Sequence, residues 1–195
     1  MDKVKFFIGI FVLLVLLSCN SVTQPLPTST PAISTADVTV DCAEAHPTQR
    51  DVDLALQHGE DQFMPPTWKR SYSVLDYQVR VTWTSDEYGA VANFDHVIFC
   101  NVTESVLDEY YTTATLDIIM ENYDEHELQE EFRTNGQRLY QFKAQKYGTD
   151  FVARLWVEIV DSDHTLQSLL VFPATDETNL NSYSRQIMPQ LPFCE

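Results

Sequence analysis

Glycine and positive charge are both scarce in this chain: 5 Gly in 195 residues, and 12 Lys+Arg against 29 Asp+Glu, for a formal net charge of −17. No stretch reads GxGxxG or GxxxxGK[ST], which excludes the glycine loops that cradle nucleotide phosphates. The deficit of Lys and Arg excludes nucleic acid as a partner, because binding a phosphate backbone depends on clustered cations. CxxC, HxxxH and GxSxG are absent too, and with them zinc ribbons, zincin helices and nucleophile elbows. There is no internal repeat and no coiled coil. What is present is 44% hydrophobic and 12% aromatic residues, a composition that supports one folded core at this length.

The N-terminus is the most specific stretch. Residues 1–19 read MDKVKFFIGIFVLLVLLSC, with Lys3 and Lys5 ahead of an apolar run from Phe6 to Leu17. That run is signal-peptide length and shorter than the roughly 20 residues of a membrane-spanning helix. It ends in Leu16-Leu17-Ser18-Cys19, which resembles the lipobox of bacterial lipoproteins; Leu17 stands where a small residue is commoner. The resemblance implies cleavage before Cys19, diacylglycerol and palmitate on that cysteine, and a lipid-anchored protein on the extracytoplasmic face of the bacterial cell envelope. Anionic lipid repels so acidic a body, so the acyl chains alone must hold it there. Residues 20–37 are rich in Pro, Ser and Thr without periodicity, the composition of an extended tether. The expected organisation is a signal peptide over 1–18, lipidated Cys19 and tether over 19–37, and one globular domain over 38–195.

An exported domain meets oxidising chemistry, which favours paired thiols. Cys42, Cys100 and Cys194 allow three single bridges. Chain ends tend to lie close together, so Cys42–Cys194 is the expected pair and Cys100 the odd thiol.

Thr48 with Asp51 resembles a capping box, ahead of Val52, Ala55, Leu56, Gly59 and Phe63 at helical spacing and a stop at Pro65-Pro66. Alternation over 77–83 and 90–100 predicts a hairpin, with Ala92, Phe94, His96, Ile98 and Cys100 on one face. A helical region follows Thr103, weakened at Thr112–Thr115 by its threonines. Strands are expected over 138–146, 151–160 and 166–172, with a further short one over 127–132. A last helix after Asp176 turns Leu180, Tyr183, Ile187 and Met188 inward and stops at Pro189. The class is α+β, an antiparallel sheet of five to six strands packed with helices. This order resembles the Mog1/PsbP-like fold, with a nuclear-transport-factor-like cone as the alternative; fold analogy says little about function.

The sequence offers no catalytic, cofactor or metal-ligating set. His46, His58, His96, His126 and His164 are scattered. Four strand residues, about 13 Å, separate His96 from Cys100, and Asp95 points to the opposite face, so His96 reads as a satisfied core or rim histidine. The stretch Asp161-Ser162-Asp163-His164-Thr165 reads as a turn held by Asp side chains, since a calcium loop's central Gly and distant Glu are missing. The acidic run Glu121, Asp124, Glu125, Glu127, Glu130 and Glu131 reads as a solvated face. Trp68, Trp83 and Trp156, with Arg154 and Glu158 beside Trp156 by alternation, form the candidate ligand surface for a sugar or apolar ligand. These features point to a non-enzymatic binding module at the membrane, engaging another envelope protein or a ligand. An envelope hydrolase or a small-ligand binder is the alternative.

Overall fold

The computed structural model describes residues 46–63 and 65–187. Cys19, the tether over 19–37, the domain start at 38, the Cys42–Cys194 pair, Met188 and Pro189 lie outside them. Among the described residues no helix is long and apolar enough to cross a membrane.

The chain runs α1 (Gln49–Gln62), β1 (Lys69–Val74), β2 (Gln78–Ser85), β3 (Ala90–Ile98), α2 (Glu104–Tyr110), α3 (Thr113–Ile119), β4 (Glu125–Thr134), β5 (Gln137–Lys146), β6 (Thr149–Ile159), β7 (His164–Pro173), a 3-10 turn (Ala174–Asp176) and α4 (Glu177–Ile187). All seven strands form one antiparallel sheet in the order β1-β2-β3-β7-β6-β5-β4. The architecture is α+β, as expected, with two strands' difference from the low end of the expected count. The added strand is β1, whose residues are exposed along its whole length. An edge strand with neither face buried carries no hydrophobic alternation, so its sequence KRSYSV gives no strand signal. The opposite edge, β4, is exposed in the same way and extends beyond the expected 127–132, with a register shift between Leu128 and Glu130.

Helices cover both faces of the sheet. On one, Leu107, Tyr111, Leu116 and Met120 of the α2–α3 region pack on Tyr140, Phe142, Leu155 and Val157. The break between these helices falls at Tyr111-Thr112, where Thr112 becomes the N-cap of α3. On the other face α1 lies over β2 and β3, and α4 over β6 and β7. An aromatic cluster seals this side, with Phe63 edge-on to Trp68 at 4.8 Å and Tyr183 5.0 Å from Phe63. The tight β5–β6 connection is Tyr147-Gly148, both at positive φ (50° and 75°), which matches the twist of a two-residue hairpin.

The fold corrects the expected ligand surface. Trp68 and Trp83 are 6% exposed, and Trp156 is fully buried with Arg154 at 2%. Both sheet faces are covered, so alternation along β6 separates two cores rather than a core from a surface; only Glu158 stays half-exposed. Arg154 is occupied inside, donating to Gln141 Oε1 (2.9 Å) and to Ser184 Oγ (3.0 Å) on α4. Cys100, expected as the odd thiol, is disulfide-bonded.

Candidate functional site

Three ionisable side chains from distant parts of the sequence meet where the first turn of α1 crosses β3 and β7. The strand register explains two of them. His96 pairs with Leu166 and Ile98 with His164, so the two imidazoles are diagonal neighbours on the α1 side of the sheet. Their rings are edge to face with centroids 4.8 Å apart. Asp51 arrives from above as the third residue of α1.

Helix capping aims the Asp51 carboxylate. Its Oδ2 accepts from the Thr48 backbone N–H (2.7 Å) and from the Thr48 hydroxyl (2.6 Å), the capping interaction expected from the sequence. Oδ1 is thereby turned toward the histidines, 3.4 Å from His164 Nε2 and 3.9 Å from His96 Nε2. Burial pushes the Asp51 carboxyl up, but the Thr48 bonds and the two nearby imidazoles outweigh it and hold the group below its ordinary value.

A second carboxylate fixes His164. Asp161 Oδ1 accepts from the Asp163 backbone N–H at 2.8 Å and lies 2.8 Å from His164 Nδ1. The turn, expected to be held by Asp side chains, is held by that of Asp161. It is also tied to the loop after β3, with Phe99 N–H donating to Asp163 O (2.7 Å) and Val102 N–H to Ser162 O.

His96 departs from expectation. It is 4% exposed, yet its Nε2 has no hydrogen-bond partner, so it is a core histidine that is not satisfied. Burial, then the neighbouring His164, push its pKa below the ordinary value against the pull of Asp51 and Asp161. Asp95, as alternation requires, is on the other face, where Arg80 grips it in two bonds of 2.7 and 2.9 Å. Beside His96 opens a cavity of about 230 Å³ bounded by Leu54, His58, Asp61 and Leu166. His58 Nε2 is also buried without a partner.

Asp51 and His164 escaped the sequence reading because each has a sufficient local explanation, a helix cap and a turn. The signal that joins His164 to His96 is the β3–β7 pairing, whose partners are 66 to 80 residues apart and leave no local trace. The acidic run behaves as a solvated edge, with Glu125, Glu127, Glu130 and Glu131 exposed on β4.

No family model and no curated protein matches this chain. Among solved structures it is similar to PA94 of Pseudomonas aeruginosa, a protein of unknown function, with 15% identity and a TM-score of 0.42 over 68% of this chain and 90% of that one. It is also similar to a mutant of Mog1, at 15% identity and a TM-score of 0.39 over 63% of this chain and 76% of the other. The Saccharomyces cerevisiae Ran-binding protein Mog1p gives 15% identity and a TM-score of 0.38, covering 61% and 75%.

Proposed function

We propose that this chain is a lipid-anchored, extracytoplasmic binding module of the bacterial cell envelope, non-enzymatic, whose ligand is taken at the Asp51–His96–His164 end of the sheet. The anchor rests on the order of basic residues, apolar run, Ser18 and Cys19 at the N-terminus. The observation that carries the binding role is the unpartnered, buried Nε2 of His96 next to an ionised carboxylate and a cavity. A buried polar atom without a partner costs stability, of order 1–3 kcal/mol, and a bound group would relieve that cost.

Holding rather than turnover fits the electrostatics. Proton-transfer catalysts work best with a pKa near the operating pH. Here Asp51 and His96 are both displaced below their ordinary values, so one stays an anion and the other a neutral base. An anion beside a neutral donor suits holding a positive ligand in place.

The anchor is tested by labelled fatty acid and membrane fractionation. Wild type should take up label and pellet with membranes, and Cys19→Ser should do neither. A Cys19→Ser chain that still labels and pellets overturns the anchor. For binding, crosslinking from a photoreactive residue at Leu54, on the cavity rim, should give products that His96→Gln diminishes. Products unchanged in that variant overturn this end of the sheet as the binding site.

A further inference from the structure

We propose that Asp51, His96 and His164 form a three-ligand site for a divalent transition-metal cation of the zinc class, coordinated through Asp51 Oδ1 and the two Nε2 atoms. The assignment rests on the binding role above and names its ligand.

The donor set selects the class of ion. Two imidazoles and one carboxylate suit zinc, cobalt, nickel or copper, whereas calcium and magnesium require six or more ligands that are mostly oxygen. The geometry is close to what such an ion needs. Ligands about 2.0–2.1 Å from a tetrahedral centre are about 3.4 Å from each other. The Asp51–His164 pair is at 3.4 Å, Asp51–His96 at 3.9 Å, and all three atoms lie within 4.8 Å of one another. Bringing the widest separation down to that edge takes about 1.4 Å of relative movement, shared between two side chains.

Outer contacts support the same reading. Metal-binding histidines characteristically donate their other ring N–H to a carboxylate, which fixes the tautomer and orients the ring. His164 has this arrangement, Nδ1 facing Asp161 Oδ1 at 2.8 Å. Asp51 has its counterpart in the two Thr48 bonds to Oδ2, which leave Oδ1 for the ion. Pairing His164 with both Asp51 and Asp161 accounts for those two carboxylates, but it leaves His96 Nε2 buried without a hydrogen bond, 3.9 Å from Asp51 Oδ1. A cation between the three accounts for all of them. The net charge of −17 draws cations toward the molecule in general. Three protein ligands leave a fourth position on such an ion for water or an exogenous ligand.

The test uses the full-length chain in detergent, titrated with Co²⁺ as a visible probe and then with Zn²⁺ in competition. One equivalent of Co²⁺ should give the intense absorption of a four-coordinate nitrogen–oxygen site, displaced by Zn²⁺ and not by excess Ca²⁺. His164→Gln should abolish that absorption. Asp161→Asn, at a more exposed position and outside the three ligands, keeps an oxygen for the Asp163 N–H and should weaken binding about 10–100-fold while the folded circular-dichroism spectrum persists. Glu130→Gln on the β4 edge should change nothing. Absence of the absorption, or affinity that survives both His164→Gln and Asp161→Asn, overturns the assignment. Loss in Glu130→Gln instead places the ion on the acidic edge and overturns it too. A chain that is acylated and crosslinks from Leu54, yet shows no cobalt spectrum, fails the metal assignment and leaves the binding module intact. A chain that binds cobalt but is never acylated fails only the anchor.

Discussion

His164 is clamped between two carboxylates, with Nδ1 2.8 Å from Asp161 Oδ1 and Nε2 3.4 Å from Asp51 Oδ1. Asp161 is the better defined side. The Asp163 N–H bond, opposed only by modest burial, and the His164 contact hold its carboxyl below the ordinary value, so it is an acceptor alone. With a proton on Nδ1, the neutral ring turns its Nε2 lone pair toward Asp51 Oδ1, a repulsion that a cation between them relieves. Long-range proton–nitrogen NMR correlations should show that tautomer in the wild type. In Asp161→Ala the preference should pass to Nε2–H, the commoner form of a free imidazole. The same tautomer in both proteins would mean that Asp161 does not set it.

Gly59 sits under Val81, and their separation reverses an ordinary expectation. Alanine normally improves a helix interior over glycine by about 0.8–1 kcal/mol. A Cβ on Gly59 would lie 3.0 Å from Val81 Cγ1 and 3.2 Å from Val81 Cβ, and Val81 is fully buried. Overpacking of this kind costs about 1–3 kcal/mol. Gly59→Ala should therefore lower stability by about 1 kcal/mol in urea unfolding. Combining it with Val81→Ala should give less destabilisation than the two single effects added, because the second change removes the closer contact, to Cγ1. A stabilised Gly59→Ala would show that α1 lifts off β2 at little cost.

Trp156 lies on β6, next to the central strand β7, paired with Leu139 on β5 and Ser168 on β7 and fully buried. Its replacement by Ala removes the largest buried side chain of the α4 face. The expected loss is about 3–5 kcal/mol, enough to unfold a domain of ordinary stability at moderate denaturant. A Trp156→Ala variant with wild-type unfolding and altered ligand binding would restore the surface role that its burial denies.

How much of this was legible in the sequence follows burial. β2, β3, β5, β6 and β7 each bury at least one face, and their alternation or apolar runs mark them. β1 and β4 bury almost nothing, and one was missed and the other shortened. The capping box at Thr48 was legible because its two residues are three apart. The functional cluster was not, since Asp51, His96 and His164 become neighbours only through the pairing of β3 with β7 and the seat of α1. Trp156 misled for the opposite reason: alternation places Arg154 and Trp156 together, and only the presence of α4 shows that an arginine can be buried there on Ser184 and Gln141.

His58 should make the fold sensitive to acid. Burial first, then the neighbouring His96 imidazole, depress its pKa to about 4, while Asp61 pulls the other way. Phe94 lies edge-on at 5.9 Å and offers no acceptor. In the unfolded chain the group titrates near its ordinary value of 6.5. Between those limits the unfolded state binds the proton and the folded state does not, so stability is complete above about pH 6.5 and falls as pH drops toward 4. The gap corresponds to at most about 3 kcal/mol, lost over that window. His58→Gln cannot titrate and should lose that much less than wild type between neutral pH and about pH 4, whatever the other acidic groups contribute to both. Urea midpoints measured across that range decide it, and parallel curves for the two proteins would mean that His58 is protonated without opening the helix.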